Sequence, residues 1–291
     1  RRSSDLTGRM AQTVTPTAAI PLYGRSADNI RDHRHVTSLL HRIETTDTGV
    51  LVTPTLSFDE RGHQVNHMTY YCVGWSGNGE KPVDFYPTAE DFVGEGGNFE
   101  RPYAIVKNAE GVKAGTKIEG LEAVGGLHFS EITLEPEEEC SYLIFTGITE
   151  DIQEIRNLSK TYTTREKVLE ELEKTKAYWQ EKVNVAYHTG DSDFNQFMHW
   201  VSFQPILRRI YGCSFLPHHD YGKGGRGWRD LWQDCLALLI MNPDGVRQML
   251  LDNFAGVRID GSNATIIGSK QGEFVADRNN ITRSEEHTSE L

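Results

Sequence analysis

The sequence has few cysteines and no long apolar run, and each of these shortages argues against particular classes of protein. The four cysteines lie far apart, at Cys72, Cys140, Cys213 and Cys235, and no two form a Cys-x-x-Cys pair. A zinc finger or a disulfide-stapled scaffold is therefore not expected, and we expect a reducing, cytoplasmic compartment. No stretch of about 18 consecutive apolar residues occurs, so we expect no membrane-spanning segment.

Positive charge is also scarce. The 291 residues include 30 Lys and Arg against 42 Asp and Glu, which gives a formal net charge of −12. Because a general nucleic-acid binder needs a basic surface to offset the phosphates, we expect no nucleic-acid partner. A hydrophobic content of 37% and an aromatic content of 10% argue against disorder and are enough for roughly two folded domains.

Residues 1 to about 150 have the pattern of a β-sheet domain. The strand candidates are residues 35–46, 49–58, 67–76, 126–134 and 140–149. Asp47-Thr48-Gly49 separates the first two and predicts a hairpin turn. Residues 77–102 are rich in Gly and Pro and show no helical periodicity. Short strands with frequent turns favour a β-sandwich.

Helical patterns replace the strand patterns after about residue 150. Thr163 and Glu166 form a capping-box signature, and Val168, Leu172, Thr175 and Trp179 share one face of a helix that runs to about 184. A second helix is predicted over 192–210, with a kink or a break at Pro205. Its predicted buried stripe consists of Phe194, Phe197, Met198 and Val201.

Two further helices are predicted on either side of Asn242-Pro243. The apolar positions are Leu231, Cys235, Leu238 and Leu239 before this break, and Val246, Met249, Leu250 and Phe254 after it. Strand patterns return only at about 257–267. Helix following helix in this way is typical of an array of helical hairpins, such as a helical barrel.

The segment with the most functional information is the glycine-rich loop at residues 218–234. Gly222, Gly224 and Gly227 fit the dinucleotide pattern G-x-G-x-x-G. That pattern needs a buried strand before it and a second strand with an acidic end after the helix, and neither is present, so we reject dinucleotide binding.

The same loop places basic and aromatic residues directly before a helix, which leaves two interpretations open. Lys223, Arg226 and Arg229 could bind a ligand, with Arg229-Asp230 contacting vicinal hydroxyls and Trp228 and Trp232 stacking on a sugar ring. Alternatively, Asp230 is a helix cap, Arg229 makes a surface ion pair and the tryptophans belong to the core. Composition alone does not separate the two.

Residues Gly227-Trp228-Arg229-Asp230-Leu231-Trp232-Gln233-Asp234 resemble the Gly-aromatic-Arg-Asp-x-x-Gln-Asp motif of the inverting sugar phosphorylases of glycoside hydrolase family 94. These enzymes include the cellobiose, chitobiose and 1,2-β-oligoglucan phosphorylases. The resemblance continues through 236–239 and Asn242-Pro243, and more loosely to Asn279-Asn280. It covers most of residues 150–282.

The resemblance implies a multidomain β and α fold with an N-terminal β-sandwich, a helical linker and the first helices of an incomplete (α/α)6 barrel. We place the sandwich at 1–150, the linker at 151–190 and the start of the barrel at 191–282. Residues 283–291 read Arg-Ser-Glu-Glu-His-Thr-Ser-Glu-Leu, which resembles a translated sequencing adapter. We therefore expect a fragment of a longer protein that ends in a non-native tail.

The resemblance also implies the function and the residues that carry it. The substrate-binding residues would be Arg229 and Asp230 in the −1 subsite, together with Lys223, Arg226, Trp228 and Asp234. Disaccharide phosphorylases of the family usually have an Arg six residues before the motif Arg, where this sequence has Lys223, so the longer oligoglucan type is favoured. Asp277 and Arg278 are further candidates for lining the cleft.

Phosphate attacks as an anion in an inverting phosphorylase, so one carboxylic acid suffices and no base, metal or cofactor is implied. The family's general acid lies in a Trp-Asn-Asp-type motif downstream, so we assign no catalytic residue before Arg283 and expect this fragment to be inactive. The substrates implied are β-linked glucosides or oligosaccharides and inorganic phosphate. Because members of the family often form dimers, the resemblance also makes a homodimer possible for the full-length protein.

Two other functions are kept as alternatives. One is a non-catalytic carbohydrate-binding module whose sandwich binds the ligand while the helices act as a scaffold. The other is the phosphorylase-like transglycosylating domain of a cyclic β-glucan synthase.

Overall fold

A computed structural model describes most of the chain. The described residues are 10–24, 37–59, 62–211, 226–254, 256–257, 259–261, 266–267 and 274–275. They divide into two compact units, Arg1–Leu172 and Glu173–Leu291, each with hydrophobic clusters of its own. The first unit is built mainly from strands and the second mainly from helices.

The described elements are fifteen strands and seven helices. The strands are β1 (Gln12–Val14), β2 (Thr17–Leu22), β3 (Arg42–Thr45), β4 (Gly49–Val52), β5 (Leu56–Asp59), β6 (Gly62–Val65), β7 (Thr69–Ser76), β8 (Asp84–Thr88), β9 (Lys117–Glu119), β10 (Ala123–His128), β11 (Ile132–Leu134), β12 (Tyr142–Thr149), β13 (Arg226–Gly227), β14 (Ile266–Ile267) and β15 (Phe274–Val275). The helices are α1 (Ala89–Val93), α2 (Tyr103–Val106), α3 (Ile152–Thr161), α4 (Arg165–Lys182), α5 (Ser192–Tyr211), α6 (Trp228–Met241) and α7 (Val246–Phe254).

Two antiparallel sheets form the body of the first unit. One has three strands in the order β2-β10-β8, and the other has five in the order β12-β7-β4-β3-β9. Side chains from both sheets meet in one core cluster, which includes Val50 and Cys72 from the five-stranded sheet and Phe85 and Leu127 from the three-stranded sheet. A sandwich follows, because each sheet buries one face against the other.

The core between the sheets is so tight that one position requires glycine. A Cβ atom added to Gly125 on β10 would lie 2.1 Å from the Cβ of Cys72 on β7. Burial also raises the pKa of the Cys72 thiol to about 12. Cys72 therefore fills space as a protonated, unreactive side chain.

The outer faces of both sheets are covered by helices. On the five-stranded sheet, Trp75 and Leu143 share a cluster with Ile155 of α3, and the Trp75 indole donates to the Tyr162 carbonyl at 3.0 Å. On the three-stranded sheet, Tyr86 packs with Phe92 of α1. The strands beneath these helices are therefore buried on two sides, which explains why the four residues of β4 are all buried, whereas β3 at the far side of the same sheet alternates between exposed and buried residues.

The predicted hairpin is confirmed, since β3 and β4 pair antiparallel with Thr45 opposite Val50. The segments near 67–76 and 140–149 form β7 and β12, and the segment near 126–134 is divided between β10 and β11. Sequence reasoning missed β8 and α1 within the Gly- and Pro-rich segment. All five residues of β8 are buried, so the strand lacks polar alternation, and Pro87 argues locally against a strand.

The second unit packs its helices around one cluster. Ile206 of α5, Leu231, Cys235 and Leu238 of α6, and Val246 of α7 are its buried members in these helices. The predicted helix over 192–210 is confirmed as α5, and α6 ends at Met241, directly before Asn242-Pro243 as predicted. Helix α4 begins one residue later than the capping-box pattern suggested, with the Thr164 hydroxyl 3.5 Å from the Lys167 amide.

The predicted buried stripe of α5 is wrong. The exposed fractions of Phe194, Phe197 and Val201 are 45%, 62% and 39%. The buried positions of this helix include Ser202, Pro205 and Ile206 instead. The pattern gave the correct period but the wrong face, because aromatic residues lie on both sides of the helix. Pro205 also lies inside α5 without splitting it.

No helix among the described residues is both long enough and apolar enough to span a bilayer.

Candidate functional site

The motif that begins at Gly227 lies where a short strand leads into a helix. Arg226 and Gly227 form β13, and α6 begins at Trp228. Gly227 pairs with Ile266 of β14 and Arg226 with Ile267, so backbone hydrogen bonding anchors the start of the helix. Arg229 and Asp230 consequently lie in the first turn of α6. Asp230 is the third residue of this helix, so the interpretation of Asp230 as the cap before the helix is wrong.

The predicted binding residues differ in how far the structure describes them. Lys223, Asp277 and Arg278 lie outside the described residues. Arg226, Trp228, Arg229 and Asp230 are described through their backbone only, which places them on β13 and the first turn of α6. The roles of these residues in sugar binding stay predictions. Asp234 is described in full.

The Asp234 carboxylate is paired with Arg208, a residue that sequence reasoning did not single out. The Arg208 Nε donates to Oδ2 at 2.7 Å and to Oδ1 at 3.0 Å, and a guanidinium nitrogen also donates to Oδ1. The exposed fractions of the two side chains are 17% for Arg208 and 8% for Asp234. Asp234 thus contacts α5 through an ion pair, whereas the resemblance placed it among the sugar-binding residues.

Arg209 makes a second connection from α5. Its guanidinium donates to the carbonyl oxygens of Asn242 at 3.1 Å and Asp244 at 3.3 Å, in the turn between α6 and α7. Five Lys or Arg residues lie between positions 205 and 229, and three of them, Lys223, Arg226 and Arg229, are the predicted ligand-binding residues. The other two, Arg208 and Arg209, make the intramolecular contacts described. Pattern analysis does not reveal these contacts, because the partners lie 26 to 35 residues away in the sequence.

Trp232 contacts another aromatic residue of the same unit. Its ring meets that of Phe254 on α7 edge to face, with 4.8 Å between the centroids. The side chain is half-buried. This packing favours the core interpretation for Trp232 over the stacking platform that the sequence left open.

A cavity of about 340 Å³ opens on the sandwich, beside α1 and α2. Its lining residues are Tyr86, Glu90, Asp91, Gly94, Glu95, Tyr103, Ala109, Glu110, Gly111 and Val112. The Tyr86 hydroxyl donates to the Ala109 carbonyl at 2.6 Å, and burial, together with the nearby Asp84 carboxylate, raises its pKa to about 12. Tyr103 is 52% exposed and lies against Gly94.

A buried polar pair lies next to this cavity. The His128 Nδ1 and the Asp84 Oδ1 are 2.6 Å apart, and the Tyr86 hydroxyl lies 3.4 Å from the same nitrogen. Within the described residues, no three His, Cys, Asp or Glu side chains are grouped as metal ligands. Carboxylates beside aromatic rings at an open cavity are suited to hydroxyl-bearing or cationic ligands.

Comparison with known proteins gives two findings. The family profile described as glycosyl hydrolase 94, supersandwich domain, matches residues 14–165, slightly more than half of the chain. The chain is also similar to the cyclic beta-(1,2)-glucan synthase NdvB of Rhizobium meliloti (strain 1021), with 26% identity over 194 residues. That alignment covers 65% of this chain and 6% of the synthase, so the chain spans a small part of its relative's length.

Proposed function

Because the chain belongs to glycosyl hydrolase family 94, we propose that it is part of an enzyme that moves glucosyl units between β-linked glucans and inorganic phosphate. The reaction would cleave the glycosidic bond with inversion and give an α-sugar 1-phosphate. The observation that carries the proposal is the family match over 14–165, followed by the Arg-Asp motif at the start of α6.

In this proposal the first turn of α6 holds the sugar of the −1 subsite. Arg229 donates a planar fork of N–H groups and Asp230 accepts from hydroxyls, so together they fit adjacent hydroxyl groups of a pyranose. Lys223, Arg226 and Trp228 complete the sugar contacts. Lys223 is a point donor where disaccharide phosphorylases have Arg, which favours oligoglucan substrates.

The chemistry requires one proton donor. Phosphate is already an anion, so it attacks the anomeric carbon without a general base, while a carboxylic acid protonates the departing oxygen. We propose that this acid lies on a segment outside these 291 residues and that α5, α6 and α7 are the first helices of an (α/α)6 barrel. The fragment alone should then show no turnover.

The decisive experiment is Arg229→Ala in the full-length enzyme, assayed for sugar 1-phosphate formation from β-1,2- and β-1,4-glucooligosaccharides. Loss of a charged donor that contacts the transition state should lower kcat/KM by roughly 100-fold or more, with little change in melting temperature. The control is Arg247→Ala, which removes an exposed arginine from α7. Unchanged phosphorolysis in Arg229→Ala would remove Arg229 from the site.

The relative supports a second candidate, transglycosylation. It is a cyclic beta-(1,2)-glucan synthase, and a domain of that kind would pass the glucosyl unit to another glucan hydroxyl instead of phosphate. Product analysis separates the two candidates. Sugar 1-phosphate that forms only with added phosphate supports phosphorolysis, and redistribution of chain lengths without phosphate supports transglycosylation.

The cavity on the sandwich supports a third candidate, a carbohydrate-binding module without catalysis. Tyr103 offers an exposed ring beside several carboxylates, an arrangement that suits sugar hydroxyls and an apolar sugar face. Titration of the chain with a β-1,2-glucooligosaccharide distinguishes the sites. Binding that survives Arg229→Ala and is lost in Tyr103→Ala would favour this candidate.

A further inference from the structure

The Arg208–Asp234 ion pair lies where it can fix the position of α6, the helix whose first turn contains Arg229 and Asp230. Asp234 is one helical turn after Asp230 and five residues after Arg229, all within α6. Arg208 belongs to α5, the helix that packs beside α6 through Ile206 and Leu231. Backbone hydrogen bonds make an α-helix stiff over two turns. An ion pair that fixes Asp234 therefore also restrains the first turn of α6.

The geometry of the pair is restrictive. Two guanidinium nitrogens donate to the Asp234 carboxylate, and the Nε lies within 3.0 Å of both of its oxygens. A fork-shaped contact of this kind sets both distance and angle, unlike a Lys–carboxylate contact. The pair therefore restrains the distance and the rotation of α6 relative to α5 at this position.

Stability alone is a weak reason for such a pair at this position. Asp234 lies in sequence between the buried residues Leu231 and Cys235, and its own side chain is only 8% exposed. Bringing two charges into such surroundings costs solvation free energy, and an apolar pair of similar volume is often as stable. The presence of this directional contact among apolar residues is more easily explained by the orientation that it imposes on α6 relative to α5.

We propose that Arg208 and Asp234 are positioning residues, which hold the backbone of the first turn of α6 where the proposed sugar contacts of Arg229 and Asp230 require it. The inference rests on the proposed function and deepens it, because it assigns a non-contacting role to Asp234, which sequence analysis placed among the sugar contacts. Arg209 holds the other end of α6 through the Asn242 and Asp244 carbonyls.

The test compares three variants of the 291-residue chain. Asp234→Asn keeps the size of the side chain but removes the negative charge that contacts Arg208. Arg208→Met with Asp234→Leu replaces the pair by apolar side chains, and Asp234→Glu keeps the charge. The control is Glu173→Gln, which removes an exposed ion pair with Lys176 on α4. The measurements are melting temperature, amide hydrogen exchange over residues 228–234, and titration with a linear β-1,2-glucooligosaccharide.

The apolar double variant is the most informative. It should melt within a few degrees of the wild type, yet exchange amide hydrogens in residues 228–234 about tenfold faster and bind the oligosaccharide about tenfold more weakly. Asp234→Asn should do the same at a lower melting temperature. Asp234→Glu should recover part of the binding, and Glu173→Gln should match the wild type in all three measurements.

Two results would overturn the inference. One is a double variant with wild-type exchange in residues 228–234, because the pair would then be dispensable for holding the turn. The other is faster exchange in this turn without weaker binding. If the wild-type chain itself does not bind the oligosaccharide, the binding comparison of the same variants is made in the full-length enzyme, where absence of binding would refute the proposed sugar site. The exchange measurement on the 291-residue chain still decides whether the pair positions the turn.

Discussion

At the scale of single residues, His41 shows how burial controls a titratable group. Its side chain is buried beside β3, with Nδ1 3.1 Å from the Leu121 carbonyl oxygen and Nε2 3.1 Å from that of Tyr23. A neutral imidazole donates from one nitrogen only, whereas an imidazolium would donate to both. Desolvation nevertheless dominates and lowers the pKa of His41, while the two carbonyls and Glu122 act in the opposite direction.

This lowered pKa predicts a pH-dependent stability. Below about pH 6.5 the unfolded chain protonates His41 while the folded chain resists protonation, so the unfolded state binds more protons. The free energy of unfolding should therefore fall as the pH decreases from about 7 to 5. Urea denaturation of the wild type and of His41→Gln across this range measures the effect. His41→Gln should show a shallower pH dependence.

The matched control is His67→Gln, which removes an exposed imidazole and accounts for the loss of a histidine as such. Equal pH dependence in the wild type and in His41→Gln would show that His41 does not link folding to pH.

At the scale of the element, helix α6 shows that the period of apolar residues predicts a helix but not which of its residues are buried. The pattern at 231, 235, 238 and 239 predicted a helix and its apolar side. Leu238 is fully buried, whereas its neighbour Leu239 is 52% exposed. Both leucines fit the same sequence pattern, so only the packing of α5 and α7 against α6 determines which one enters the core.

A pair of single substitutions tests this assignment. Leu238→Ala should lower the free energy of unfolding by about 2–5 kcal/mol, because it leaves a cavity in the cluster around Ile206 and Val246. Leu239→Ala removes the same atoms from the surface and should change stability by less than about 1 kcal/mol. Urea denaturation of both variants compares the two values, and equal losses would contradict the assigned orientation of α6.

At the scale of the whole molecule, the charge balance governs which partners the chain attracts. With a net charge of −12, duplex DNA should be repelled on average rather than condensed onto the surface. We expect no retention of a 30-base-pair duplex in a gel-shift assay at 50 mM salt, with a basic DNA-binding domain as the positive control. A shifted DNA band that weakens as the salt concentration is raised would show that the chain has a local basic surface despite its negative net charge.

Some features of the candidate site follow from short sequence segments, and others depend on contacts between residues that are far apart in the sequence. The sequence placed Arg229 and Asp230 at a helix start, because an Asp directly before a segment of helical periodicity is a local signal of a helix N-terminus. It did not find the Arg208–Asp234 pair, since the two residues lie 26 positions apart and meet only when α5 packs on α6. The sandwich cavity was missed for a similar reason, as its tyrosines and carboxylates come from separate segments.

By itself the sequence determined the change from strands to helices near residue 150, the β3–β4 hairpin, the end of α6 before Asn242-Pro243 and membership in the glycosyl hydrolase 94 family. These features depend on backbone preferences and periodicity, which neighbouring residues set. Tertiary structure alone decided that β8 is a buried strand despite Pro87, that Phe197 faces outward and that Asp234 is paired with Arg208. Each of these depends on which surfaces meet, and burial is a property of the assembled layers rather than of any short segment.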